Sequence, residues 1–487
     1  MIINIKRLPN RFYPDFKRVI IRFYNNGTER SRDLVRKVLA MKDDEVELIL
    51  SQTLREFSKR HRNISQKFLD HFDLAKILIN NPALEMDKLQ EDRKLLIGSY
   101  FSMEYSITSA AFFNPSVVES PDQTGLPEGS KRIIVSFRAT GEGHLSSIVF
   151  HTGTINKDGE INFETSGSYV DEAEVIKHVQ YKKSSFIRKL REMYVNEDVF
   201  AQVMDMLGDN FTYGELQKAV TDTIIANHTS IIKKQVISQI MWLADSHYKI
   251  KFSLDTHISE RVIFPVSYSE RKGIEDARFV RFTDDDGEVV YYATYTAYDG
   301  NTILPKLMVT KDFYNFEVKP LHGEGAQNKN LALFPRKING QYVMLSRIDG
   351  INSYIGFSEN LNVWKKPIKI QEPRYYWEYI QIGNAGAPIE TPEGWLLITH
   401  GVGPMRRYCL GASLLDLDDP TKEIGRLKEP LLIPNEEERE GYVPNVVYSC
   451  GSIIHCGKLI IPYGLSDTSS GFVSVDLDQL LKKLRSE

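Results

Sequence analysis

Cysteine is scarce in this sequence: Cys409, Cys450 and Cys456 are the only three among 487 residues. An odd, sparse set excludes a disulfide framework in a chain of this size and fits a reducing compartment. His455 lies between the last two, but one cluster of three cannot close a four-ligand site, so no metal and no resident cofactor are expected. Long apolar runs are also missing. No stretch of about 18 apolar residues occurs, which removes the signal for a membrane-spanning helix. The opening Met1-Ile2-Ile3-Asn4-Ile5-Lys6 has no basic region leading into an apolar run, so a cytoplasmic protein without a membrane partner is expected. Nor does one sign of charge dominate. A formal net charge of -4 gives no electrostatic reason to expect nucleic acid as a partner.

What is present is ordinary globular composition, 42% hydrophobic and 26% charged, in a chain long enough for one large core or several smaller ones. The first part has helical periodicity: Leu34, Val35, Val38 and Leu39, then Val46, Ile49, Leu50, Leu54 and Phe57, each set marking one buried face. This predicts an N-terminal helical region over residues 1–95. A second helical block is predicted over 170–248, from Phe186, Ile187, Leu190 and Met193 through Val199, Phe200, Val203, Met204 and Leu207 to Val236, Ile240 and Leu243, broken only around Gly208 to Gly214.

The remainder, within 96–487, consists of short aromatic and β-branched runs bounded by Gly, Pro, Asn and Asp. The clearest begin at Ile133, Tyr291, Tyr342, Trp395 and Leu459, and the last four starts are 51, 53 and 64 residues apart. That period suits one four-stranded propeller blade. With the helical block set aside, the longer gap after Ile133 holds one blade and extra loop. The segment from Thr310 to Pro320 repeats as Ser358 to Pro367. The expected fold is therefore mainly β, a five-bladed β-propeller with an N-terminal helical region and a helical insertion; the alternative from periodicity is a β-sandwich with helical additions. Asp284-Asp285-Asp286-Gly287 is similar to part of a calcium loop, but between two strand runs it reads as a hairpin turn.

Propellers bind ligands where inner strands and their loops converge, so polar residues in or just after the strand runs are candidates. Gly273-Ile274-Glu275-Asp276-Ala277-Arg278 sets two acids and an arginine at the start of an apolar strand. Arg138, Lys329, Arg347, His400 and Asp467 hold comparable positions at the ends of other runs. Each alone reads equally as a solvated or paired side chain. Together they describe a ring in which carboxyls and cations tune one another.

GIEDARF followed by YYATYTAYDG resembles the signature of glycoside hydrolase family 130. KNLALFPRKINGQYVMLSR, WEYIQIGNAGAPIETPEGWLLITHGV, YCLGASLLDLDDPTKEIGR and GYVPNVVYSCGSI resemble the family's later motifs in order, and Asn114-Pro115 with Ser136-Phe137-Arg138 extends the resemblance toward the first blade. It implies a five-bladed propeller carrying out an inverting displacement at a mannoside. The proton donor it implies is Asp276. The phosphate-binding set it implies is Arg138, Arg278, Lys329, His400 and Tyr408, with inorganic phosphate as co-substrate and no other cofactor. Asn114, Glu275, Arg347 and Asp467 are the implied sugar ligands. Ala277, Ser346 and Gln381 depart from the family's usual Pro, His and Lys.

The leading expectation is a phosphorylase that cleaves a β-mannoside of disaccharide or oligosaccharide size to α-mannose 1-phosphate. Two alternatives stand beside it: an inverting β-mannosidase of the same fold with Glu324 or Glu378 as the base on water, and a non-catalytic carbohydrate-binding propeller. The helical regions are left with two roles, a cap over the channel or a homo-oligomer interface.

Overall fold

The structure, a computed structural model, describes residues 3–167, 169–177, 180–226 and 231–486. It is mainly β. Among the described residues five mainly antiparallel sheets of four to six strands follow one another along the chain, interrupted by two groups of helices. Sheet one begins with Ala111–Glu119, Lys131–Thr140 and Ser146–Ile155; sheet two with Ile274–Thr283, Val289–Tyr298 and Ile303–Thr310. Sheet three is built on Ala332–Leu333, Tyr342–Ser346, Ser353–Ser358 and Ile368–Gln371. Sheet four holds Gln381–Asn384, Gly394–Val402, Tyr408–Leu415 and Glu423–Arg426, and sheet five Val447–Tyr448, Lys458–Leu465 and Ser469–Asp476.

The five apolar runs of the sequence are the second strands of these five sheets. Each buries both faces, and successive side chains point to opposite sides. In Lys131–Thr140, Ile133, Val135 and Phe137 join a core shared with Ile460 and Phe472 of sheet five, while Ile134 joins one shared with Phe279 and Tyr291 of sheet two. In Gly394–Val402, Trp395 and Leu397 pack with Phe334 and Leu345 of sheet three, and Leu396 and Ile398 with Leu459 and Ile461 of sheet five. Val280 and Phe282 meet Leu333 and Met344 between sheets two and three. The cores thus lie between neighbouring sheets in the cyclic order one, two, three, four, five and back to one. Each such fully buried Leu, Ile or Phe contributes about 1.5–3 kcal/mol.

The chain's beginning differs from the helical expectation for residues 1–95. Ile5–Phe12 is a strand that pairs antiparallel with Ser469–Asp476 and forms the edge of sheet five, and Asp15–Phe23 pairs with Ser102–Thr108. An edge strand with Lys6, Arg7, Pro9 and Asn10 buries little on either side, so its alternation was too weak to show. Helices then occupy Thr28–Leu39 (α1), Asp43–Phe57 (α2), Ile64–Ile79 (α3) and Glu91–Tyr100 (α4).

Between sheets one and two stand Lys183–Glu192 (α5), Glu197–Met204 (α6), Tyr213–Ala226 (α7) and Ile231–Asp245 (α8). This block also contains strands: Gln180–Lys182 pairs with Asn210–Thr212, within the predicted break at Gly208 to Gly214. Glu174–Ile176 and Tyr248–Lys251 add to the outer edge of sheet two. A fully buried ion pair ties this edge to the site strand. Lys306 Nζ donates to Glu270 Oε1 at 2.8 Å, and the hydroxyls of Tyr248 and Tyr295 donate to the same carboxylate. Breaking such a pair typically costs about 3–5 kcal/mol, because the surviving charge is stranded. Glu270 O accepts from the amide of Gly273, which leads into Ile274–Thr283.

Asp284 to Gly287 forms the hairpin turn the sequence predicts, with the Gly287 amide donating to Asp284 O. Among the described residues no group of three or more His, Cys, Asp or Glu is arranged to hold a metal, and no helix is long and apolar enough to cross a membrane. Cys409 and Cys450 are buried and Cys456 is exposed, all as thiols.

Candidate active site

The inner strands of four sheets deliver polar residues to one cluster: Asn114 from sheet one, Glu275, Asp276 and Arg278 from sheet two, Asn384 from sheet four and Tyr448 from sheet five. Lys329 and Asn330 sit just ahead of the inner strand of sheet three. Second strands add Arg138 and His400, and Arg347 and Asp467 follow closely after two others.

Two β-bulges aim the central pair. On Ile274–Thr283 the register jumps between Glu275 opposite Thr296 and Arg278 opposite Thr294, leaving Asp276 and Ala277 against one partner residue. On Ala111–Glu119 it jumps between Phe113 opposite Arg138 and Ser116 opposite Ser136, around Asn114 and Pro115. The residue at each bulge has a left-handed backbone, φ 53° at Asp276 and 48° at Asn114. Non-glycine residues there carry strain that the surrounding sheet must hold, and such bulges recur beside functional sites. Gly273 permits the approach: a Cβ at its φ of 129° would lie 2.3 Å from Ser146 Oγ.

The Asn114 side-chain amide donates to Asp276 Oδ1 at 2.7 Å, and Arg138 Nη1 lies 3.5 Å from the same oxygen. Arg138 Nη2 donates to Glu275 Oε1 at 3.1 Å, and Lys329 Nζ donates to Glu275 Oε2 at 2.6 Å. Burial is the largest influence on Asp276 and pushes its carboxyl up. Arg138, Arg278, the Asn114 hydrogen bond and Lys329 together outweigh it, so the carboxyl sits below its usual range. Asp467 behaves oppositely: burial and the charge of Asp276, against the pull of Arg138, raise its carboxyl to about 6.

A second half of the cluster continues from Arg278. Its Nη1 donates to the Asp276 carbonyl at 3.0 Å and its Nη2 to the Tyr448 hydroxyl oxygen at 2.5 Å. The Tyr448 ring lies 4.9 Å from that of His400, which stacks on Tyr408 at 6.2 Å. His400 is completely buried; its Nδ1 donates to Asn384 O at 3.0 Å, leaving Nε2 to accept from Arg347 Nη1 at 3.1 Å. Burial, Arg347 and Arg278 hold its pKa well below the ordinary value, so the ring is neutral, in agreement with this tautomer. The Nε groups of Arg138, Arg278 and Arg347 and Oδ1 of Asn114 are buried with no hydrogen-bond partner among the described residues. Three guanidinium groups with a donor unspent beside two carboxylates form a natural receptor for an oxyanion and hydroxyl groups.

All ten residues predicted for acid, phosphate and sugar roles therefore fall in one connected cluster. The two predicted hydrolytic bases do not join it. Glu378 is fully buried, and its Oε1 accepts from Arg426 Nη1 at 3.0 Å and from the amides of Arg374 and Tyr375. Glu324 is exposed in the short turn Glu324–Ala326. Tyr448 and Asn384 escaped the sequence reading as individual residues. Tyr448 lies in GYVPNVVYSCGSI and Asn384 in the GNAGAP segment, apolar or small surroundings in which no charge drew notice.

Residues 228–486 match the sequence model of glycoside hydrolase family 130, described as beta-1,4-mannooligosaccharide phosphorylase. The chain belongs to this family. It is 40% identical over 219 residues to a 1,2-beta-oligomannan phosphorylase of Thermoanaerobacter sp. strain X514, a match covering 43% of this chain and 71% of that protein. It is 32% identical over 255 residues to a beta-1,2-mannobiose phosphorylase of Listeria innocua, covering 50% of this chain and 70% of the relative. A solved beta-1,2-mannobiose phosphorylase from Listeria innocua, in complex with beta-1,2-mannobiose, aligns over 79% of this chain and 94% of its own at 24% identity and a TM-score of 0.46.

Proposed function

We propose that this protein is an inverting phosphorylase of β-mannosides, using inorganic phosphate to release α-mannose 1-phosphate. Membership of the family and relatives named as mannoside phosphorylases support the reaction class. The observation that carries the choice of phosphate is the convergence of Arg138, Arg278 and Lys329 on Glu275 and Asp276, with guanidinium donors left over. With Arg347, four cations face the three carboxylates of Glu275, Asp276 and Asp467. A phosphate dianion is accommodated there; a neutral water has no need of them. Neither Glu324 nor Glu378 makes a hydrogen bond to the cluster among the described residues, which also favours phosphate over a water-activating base.

In this reading the five sheets are the five blades of a propeller, supported by their cyclic cores and by the cluster drawn from all of them. A cavity of about 430 Å³ is also lined by all five, through residues such as Val118, Phe279, Pro335, Ile389 and Ile453. The catalytic body spans 96–487, with the N-terminal region 1–95 and the insertion 170–248 as additions.

A phosphate oxygen held by Arg138, Arg278, Lys329 and Tyr408, with neutral His400 orienting Arg347 beside them, attacks the anomeric carbon from the face opposite the leaving group. The bond from that carbon to the glycosidic oxygen breaks, and the oxygen takes a proton originating on Asp276, relayed through a sugar hydroxyl. Asn114, Glu275, Arg347 and Asp467 hold the mannose. Asp276→Asn keeps the shape but removes the proton, so turnover should fall by about 10²- to 10⁴-fold with the fold intact by circular dichroism. Normal turnover in that variant would end the assignment.

A further inference from the structure

Away from the Asp276 cluster, the helical insertion and the outer edge of sheet two enclose a cavity of about 240 Å³. One wall is the strand Gln180–Lys182, fixed by the Tyr181 hydroxyl donating to Ala244 O at 2.8 Å, with the Tyr181 ring edge-on to His247 at 5.4 Å. The facing wall is Lys319 at the end of Asn315–Pro320, then His322, and Asn360 and Asn362 from sheet three. Lys189 of α5, itself buried, closes the contact by donating from Nζ to Leu321 O at 3.0 Å.

His322 is only 7% exposed, and its Nδ1 is buried with no hydrogen-bond partner among the described residues. A buried imidazole nitrogen left unpaired costs free energy unless something else meets it. Lysine and arginine charge surrounds it: burial and then Lys189 and Arg188 hold its pKa at about 3. The acids close by are engaged, Glu192 with Lys189 at 3.3 Å and Glu317 with Lys319 at 2.8 Å and His247 at 3.3 Å, so Lys319 meets a ligand with one carboxylate already beside it. Beside these cations the lining is amide, hydroxyl and aromatic: Gln180, Asn360, Asn362, Ser185, Tyr181 and Phe186. Amides pair with ligand hydroxyls, while the Tyr181 and Phe186 rings, packed with Phe211 in the insertion's core, form a rigid back wall. The volume lies below the roughly 300–1,000 Å³ of pockets for drug-sized molecules, so the occupant is small.

We propose that this cavity is a second ligand site, for a phosphorylated monosaccharide, with the phosphate against Lys182, Lys319 and His322 and the sugar hydroxyls against Asn360 and Asn362. The inference stands independently of the reaction assigned to the Asp276 cluster.

Titration calorimetry of the full chain with mannose 6-phosphate tests it, with mannose and inorganic phosphate as parallel arms. Saturable binding is expected for the sugar phosphate, weakened about tenfold or more in a Lys319→Ala/His322→Asn variant and unchanged in Lys329→Met, which alters only the Asp276 cluster. Should the His322 variant fail to fold, Lys182→Ala/Lys319→Ala carries the same expectation, with circular dichroism as the check on folding. Absence of saturable heat at millimolar ligand overturns the proposal. So does binding that is lost in Lys329→Met but kept in the cavity variants, or binding of mannose or inorganic phosphate alone that equals the sugar phosphate.

Discussion

The side-chain amide of Asn114 donates to Oδ1 of Asp276 at 2.7 Å, across the boundary between two sheets, and both residues sit at β-bulges with left-handed backbones. The two inner strands are thus bent at matching points so that a neutral donor and a carboxylate meet. The hydrogen bond stabilises the ionised carboxylate, alongside Arg138, Arg278 and Lys329.

Asn114→Ala removes one of the influences that lower the Asp276 carboxyl, so its pKa rises. A hydrogen bond to a charged group is worth about 1.5–3 kcal/mol. The pH–rate limb that belongs to Asp276 should move to higher pH, and turnover should fall about tenfold or more as the carboxyl loses its fixed orientation. Steady-state rates of wild type and variant across pH measure both, and an unmoved limb would show that the amide does not act on Asp276.

Phosphate should shift the same limb. In the empty site the cations hold Asp276 ionised, which is the wrong state for a proton donor. A dianion bound among Arg138, Arg278 and Lys329 cancels part of that attraction and raises the carboxyl toward protonation. The limb in kcat at saturating phosphate should therefore lie at higher pH than the limb in kcat/KM for phosphate. Coincident limbs would separate the cations from phosphate.

Asp467 predicts a stability change of known sign. Its folded-state carboxyl is raised to about 6, above its unfolded value, so the native state binds the extra proton and stability falls as pH rises through that interval. Asp467→Asn should remove this fall and raise the stability above pH 6 by at most about 3 kcal/mol, at about 1.4 kcal/mol per pKa unit, with a higher melting temperature. The two proteins should converge below pH 4. Melting curves at acid and neutral pH provide the comparison, and a variant less stable than wild type at pH 7 would contradict the electrostatic account.

The parts of the molecule legible in the sequence are those whose chemistry repeats. Strands such as Lys131–Thr140 and Gly394–Val402 bury both faces and so appear as unbroken apolar runs, which made all five second strands visible. The helices α1 and α2 showed through their one-sided periodicity. Ile5–Phe12 did not, because an edge strand with charged and proline residues carries no such pattern and acquires its place only by pairing with Ser469–Asp476 at the far end of the chain. In the site, charged residues at strand ends stood out, whereas Tyr448 did not. Its hydroxyl matters because a separate sheet brings Arg278 within 2.5 Å, a relation no local spacing expresses. Glu378 was legible as a carboxylate but not as the partner of Arg426, which lies 48 residues away on the outer strand of the same sheet.

The central claim is that phosphate, not water, displaces the leaving group. Incubating the protein with β-linked mannobiose and mannooligosaccharides, with and without inorganic phosphate, and resolving the products by phosphorus and proton NMR tests it most directly. Cleavage that requires phosphate and yields α-mannose 1-phosphate is the predicted result. Release of free mannose at an equal rate in phosphate-free buffer would contradict it.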